Sequence, residues 1–232
     1  LTGFPRALVA LVALGVCAAC ADSPEPAGVT ATASLRVVHT VAHVPAVDVL
    51  VGGQVVIPGL AAGQVSGVVA VPDGPGSIAF RVPGSSAGPA RAVVFAANDT
   101  LNVLAIDSSN VINPWVLTDT GAVVPAGKTK LRVAHFADSA PAIDVWRSQP
   151  DYPSYITVMF PFAHRAVSPY LQSDPGAWRV LIATEARDAG GIPVLTDTLF
   201  LTPVLAVAAG QSRTVVVVDQ PGGGVSAVVL TP

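Results

Sequence analysis

Cysteine is nearly absent: the 232-residue chain has 2, at positions 17 and 20. Nothing after Cys20 can therefore form a disulfide, attack a substrate as a thiolate or bind a metal through sulfur. Charge is scarce as well, with 12 Lys and Arg against 15 Asp and Glu, together 12% of the residues. The slightly acidic balance speaks against nucleic acid as a partner. Several motifs are missing too, including the phosphate loop, the dinucleotide fingerprint, the H-E-x-x-H helix and the G-x-S-x-G nucleophile elbow. No cofactor and no metal are expected. Aromatics are few, and the first half has almost none, which excludes a membrane β-barrel with its two aromatic girdles. What the chain does have is 51% hydrophobic residues, too many for a disordered protein, with 21 Gly and 21 Pro to break it into short elements.

The apolar residues begin early. Arg6 precedes an uncharged run from Ala7 to Ala21, long enough for a signal-peptide h-region and short for a membrane span. Ala18-Ala19-Cys20 closes it and resembles the bacterial lipobox, in which the cysteine is lipidated and becomes the first mature residue. Cys20 is the better acceptor, because Cys17 follows the bulkier Val16. The competing reading is an ordinary secretory signal. Residues 1–20 are thus expected to be a lipoprotein signal peptide, and residues 21–33, which have no aromatic residue, a flexible tether.

An internal repeat organises the rest. Leu35-Arg36-Val37-Val38-His39 returns as Leu131-Arg132-Val133-Ala134-His135, and Pro45-Ala46-Val47-Asp48-Val49 as Pro141-Ala142-Ile143-Asp144-Val145, both displaced by 96 residues. A period of that size implies duplicated domains rather than a solenoid. Short β-branched runs, among them Leu35 to His39, Val47 to Val51, Val65 to Val71, Ile78 to Val82 and Leu101 to Ile106, are punctuated by Gly, Pro, Asn and Asp. Gly52-Gly53 reads as a two-residue hairpin turn. The expected fold is all-β: two tandem antiparallel, Ig-like β-sandwiches over 34–120 and 131–232, joined by a linker at 121–130.

The pattern L-R-V-x-H, a short loop, then P-A-V/I-D-V, resembles the opening of the bacterial domain of unknown function 4397. Ser168-Pro169-Tyr170, Pro175-Gly176-Ala177-Trp178 and Pro125-Ala126-Gly127-Lys128 are similar to later segments of that family. The resemblance implies tandem domains behind a signal or lipoprotein peptide, and it brings no assigned activity or catalytic residue.

The chemistry must then be sought in single residues. His39 and His43 are four apart, a metal spacing on a helix that loses its geometry on a strand. Only His39 is repeated, as His135, which favours a ring bonded to its own loop. Ser66, Ser168, Asp48 and Asp144 are the repeated groups a hydrolase would use. Alternation places Arg36 and Asp48, and likewise Arg132 and Asp144, on one side of a hairpin, so structural ion pairs Arg36–Asp48 and Arg132–Asp144 are expected. Aromatic residues crowd the second copy. Tyr152, Tyr155, Phe160 and Phe162, in the proline-rich insertion PDYPSYITVMFPF, are the expected recognition surface for a glycan or surface protein, the alternative being rings that plug the sandwich edge or fill the interface between domains. The functional expectation is a non-catalytic envelope lipoprotein held in a bacterial membrane by its lipid, periplasmic or surface-exposed, and the alternative is an envelope-associated hydrolase acting on glycans.

Overall fold

The computed structural model describes residues 31–118, 123–140, 142–149, 151 and 154–231. They belong to one compact unit, Ala31–Pro232, and residues 1–30, which hold the expected signal peptide, Cys20 and most of the expected tether, lie outside the described residues. The fold is all-β. The N-terminal half runs β1 (Thr32–His39), β2 (Ala46–Val51), β3 (Gln54–Ala61), β4 (Val69–Pro72), β5 (Gly74–Arg81), β6 (Arg91–Phe95), β7 (Thr100–Ser108) and β8 (Val111–Val116). The C-terminal half runs β9 (Thr129–His135), β10 (Ala142–Ser148), β11 (Ile156–Ala163), β12 (Leu171–Ser173), β13 (Gly176–Thr184), β14 (Thr198–Leu201), β15 (Leu205–Val207), β16 (Ser212–Asp219) and β17 (Val225–Leu230). Among the described residues no helix is long and apolar enough to cross a membrane.

Each half is two sheets. The first pairs β4-β1-β7-β8 with β3-β2-β5-β6, and the second pairs β12-β9-β16-β17 with β11-β10-β13-β14, where β15 also lies on β13. Leu35, Val37, Val47, Val49, Ile78, Phe80 and Val103 fill the space between the first two sheets. Leu131, Val133, Ile143, Val145, Val180, Ile182, Val215 and Val217 fill the second. Gly52 and Gly53 make the expected tight turn between β2 and β3, with φ of +56° and +82°, values that side-chain-bearing residues rarely adopt.

Two features depart from a plain antiparallel sandwich. The pairs β1–β7 and β9–β16 are parallel, and β1 does not form a hairpin with β2: Thr40–Pro45 carries the chain from one sheet to the other. The parallel strands are covered on both faces, which explains their almost unbroken apolar sequence, Val215 to Val218 being wholly buried. Strand β8 escapes the sequence reading because Pro114 interrupts it. As the edge strand of its sheet it needs no hydrogen-bond donor there on its outer side.

Candidate functional site: the seam between the halves

The outward faces of the two parallel-centred sheets pack on each other. Val38, Leu104, Ile106 and Leu117 from the first half meet Ala134, Phe136, Val216, Val218 and Leu230 from the second in a third buried core. Register makes the two sides equivalent. Val38 lies beside Leu104 as Ala134 lies beside Val216, and β8 continues the first sheet as β17 continues the second. The repeated arginines close this seam reciprocally. Arg36 donates through Nε to Asn102 Oδ1 at 2.8 Å and through Nη1 to the carbonyl of Thr231 at 2.5 Å, in the other half. Arg132 donates to Thr214 Oγ1 at 2.9 Å and to the carbonyl of Thr118 at 2.7 Å, again in the other half. Equivalent residues exchanging equivalent contacts define an isologous interface, here within one chain.

The expected pairs Arg36–Asp48 and Arg132–Asp144 do not form. Each arginine sits on a seam sheet and each aspartate on an outer sheet, so no hairpin register can bring them together. Asp48 instead pairs with Arg81 Nη2 at 2.6 Å and accepts the Gly59 amide at 3.0 Å. The Arg81 guanidinium and the Gly59 amide hold its carboxyl below the usual range. Asp144 pairs with Arg187 Nη1 at 2.6 Å, which raises the Arg187 guanidinium further, and accepts the Ala186 amide at 3.3 Å.

The repeated histidines are latches. His39 Nδ1 accepts the Val41 amide at 3.3 Å, which fixes the proton on Nε2 for donation to the Val44 carbonyl at 2.9 Å. His135 repeats this with Ala137 at 3.4 Å and Ala140 at 2.7 Å. Burial pushes both rings down to about 4, against the opposing pull of those carbonyls. The repeated serines are engaged as well: Ser66 Oγ accepts the Val37 amide and donates to the Gly67 carbonyl, and Ser168 Oγ accepts that of Val133 and donates to the Pro169 carbonyl. These bonds anchor the irregular segments that follow bridges Val38–Val65 and Ala134–Val167. The other two histidines face carboxylates, His43 with Asp107 at 3.4 Å and His164 with Asp138 at 3.0 Å. Among the described residues no three His, Cys, Asp or Glu side chains converge as a metal site.

The expected aromatic recognition surface divides. Tyr152 lies outside the described residues. Phe162 is core: it is 8% exposed and stacks on His135 with ring centroids 6.3 Å apart. Tyr155 packs on Trp146, Leu181 and Ala183, on the outer face of its sheet. Of the described rings Phe160 is the open one, 50% exposed beneath the Arg187 guanidinium. A register shift in β11 between the partners of Ile143 and Val145 separates Phe160 from Phe162 and sends them to different surroundings.

Of the clefts along the seam, two adjoin one another. One of about 710 Å³ is lined by Arg91, Trp115, Lys130, Arg132, Ser168 and Tyr170, with Arg132 stacked 4.6 Å from the Tyr170 ring centre. The second, about 460 Å³, shares Arg91 and Trp115 and adds Arg165. No carboxylate is among the described residues lining either. Sequence reading missed this site because its residues come from β6, β8, β9 and the loops before β12. The available signal was a comparison of the two copies position by position.

The fold is all-β, with several sheets of four or five strands. Residues 33–146 match the family described as Domain of unknown function (DUF4397), a bacterial domain. No curated protein matches the chain. Among solved structures, a leucine-rich repeat protein from Bacteroides thetaiotaomicron aligns over 82% of this chain at 9% identity and a TM-score of 0.23, and the chain spans 26% of that protein.

Proposed function

We propose that this protein is a non-catalytic lipoprotein of the bacterial cell envelope, lipidated at Cys20, in which residues 131–232 are a second copy of the matched domain and the two copies form one binding body. The observation that carries this reading is the engagement of the repeated polar residues. Arg36, Asp48, His39 and Ser66, with their counterparts Arg132, Asp144, His135 and Ser168, are bound to backbone or to neighbouring side chains in structural hydrogen bonds. A repeated motif that serves architecture leaves binding to the surfaces it holds in place. The same strand order and the same latches in both halves support the duplication. The lipid anchor is supported by Ala18-Ala19-Cys20 at the end of the apolar run.

Metabolic labelling with a fatty acid tests the anchor. The wild type is expected to be labelled and membrane-bound, and Cys20→Ala unlabelled and either released or unprocessed. An unlabelled wild type would reject the anchor. Release of new reducing ends when the purified chain is incubated with envelope glycans would replace binding by hydrolysis.

A further inference from the structure

The two sides of the seam serve as controls for one another. The reciprocal closure of the interface occurs on both: Arg36 and Arg132, Ser66 and Ser168, Leu117 and Leu230. A polar or charged residue found on one side alone is not part of that reciprocal closure.

Register and backbone bonds fix the comparison. Trp115, opposite Leu104, corresponds to Val228, opposite Val216. Lys130 corresponds to Ser34, each directly before the repeated strand motif. Tyr170 corresponds to Val68, each preceding the residue that pairs with Leu131 or Leu35. Arg165 corresponds to Gly63, since both donate their amides to the carbonyl of the motif histidine. Arg91, opposite Ile78, corresponds to Thr202, opposite Val180. All five differences run one way, adding three cations and two rings on one side, and all five residues line the two adjoining clefts. Arg165 makes the point most sharply. It holds φ +61°, a left-handed conformation costly for any side chain, where its counterpart is Gly63 at +72°. Its guanidinium also reaches across the seam to the Asp107 carbonyl.

We propose that this one-sided groove binds an acidic glycan strand, with sugar faces on Trp115 and Tyr170 and the acid groups held by Arg91, Lys130 and Arg165. The assignment rests on the non-catalytic binding reading given above. Two clefts that share Arg91 and Trp115 together present two rings and several cations, more surface than a single small anion requires and enough for successive charged rings of a polymer. Their volumes suit sugar residues, and a chain of net charge −3 places four of its 12 cationic residues here.

The test is calorimetry on the full chain in detergent with an octagalacturonate, a sulfated dextran oligomer, a neutral cello-oligosaccharide and an oligothymidylate. The wild type is expected to bind at least one acidic sugar oligomer about tenfold or more tightly than the neutral one. A four-site variant, Arg91→Thr, Lys130→Ser, Arg165→Gly and Tyr170→Val, takes the residues of the opposite side and leaves Trp115 on Phe136 in the seam core. It should lose that binding with little change in melting temperature, and Lys130→Ser with Tyr170→Val serves the same purpose should the larger variant fail to fold. Absence of acidic-glycan binding, binding that survives the substitutions, or equally tight binding of the oligothymidylate would overturn the proposal. Cleavage of the oligomer would instead overturn the non-catalytic reading on which it rests.

Discussion

Asp48 and Asp144 stand at the same place in the two halves, yet they draw their arginines from different elements. Asp48 faces Arg81 directly across the β2–β5 ladder. Across from Asp144 the ladder offers only Ala183, and the cation comes from Arg187, beyond the end of β13. Both carboxylates also accept a backbone amide, from Gly59 and from Ala186. The fixed requirement is a carboxylate that ties an irregular neighbouring segment to the outer sheet, while the source of its counter-charge has moved. The seam behaves differently: there both arginines and both recipient carbonyls are retained, because each side is the other's partner.

The seam also contains an inequality whose removal should have the largest effect. Phe136 is buried and meets Trp115 edge-on with centroids 5.6 Å apart, whereas its counterpart Thr40 packs by hydrogen bonding to the Ala105 carbonyl. Phe136→Ala should cost about 3–5 kcal/mol, from lost burial and the cavity left behind. Thr40→Ala should cost about 1 kcal/mol. Urea unfolding of both variants checks the comparison, and equal losses would mean that the seam core is not centred on Phe136.

The histidine latches come next, and here the halves should behave alike. Both rings have about 4 when folded and the ordinary 6.5 when unfolded. Between those values the unfolded chain binds more protons, so the stabilisation is fully present above pH 6.5 and is lost as pH falls towards 4. The loss amounts to about 3 kcal/mol per ring by pH 4. Stability measured across that interval should fall less steeply in His39→Gln and in His135→Gln, by the same amount in each. The depressed carboxyl of Asp48 contributes in a lower window: its stabilisation is present above the ordinary carboxylate range and disappears as pH falls through its lowered value.

A smaller loss is expected at the arginines. Arg36→Met leaves Asn102 Oδ1 and the Thr231 carbonyl without their guanidinium donors, for about 2 kcal/mol, and Arg132→Met should match it. A double variant less destabilised than the two singles combined would show that the reciprocal contacts act as one unit.

Much of this was legible in the sequence. The Gly52-Gly53 turn and the β-branched runs announce an all-β body, and the recurrence of His39 as His135 correctly suggests rings tied to their own loops. The errors share one cause. Alternation reveals that Arg36 and Leu35 face opposite ways, but it cannot say whether the second face meets water or another sheet. The apolar Val38 beside Arg36 was the available clue, since a solvated face would not carry it. Phe162 was misplaced for a related reason: a bulge resets alternation, and its presence depends on pairing with β10 rather than on β11 alone.

The smallest expected effect returns to the two aspartates. Asp144 is wholly buried and its arginine side chain is 22% exposed, whereas the Asp48 and Arg81 side chains are 11% and 34% exposed. Solvent screens the second pair more, and a cation held by an ordered ladder position loses less entropy than one held by a loop. Those two influences oppose each other, and burial should prevail, because an amide at Asp144 leaves Arg187 with a neutral partner in a drier place. Asp144→Asn is therefore expected to cost about 2 kcal/mol and Asp48→Asn about 1 kcal/mol. Added salt should narrow the Asp48 loss and leave that of Asp144 nearly unchanged, since screening acts weakly on buried pairs. Thermal unfolding of the two variants at low and high salt tests this. If Asp48→Asn were the more damaging, the ladder position rather than burial would set the strength of the pair, and the migration of the cation to a loop would be the weaker solution.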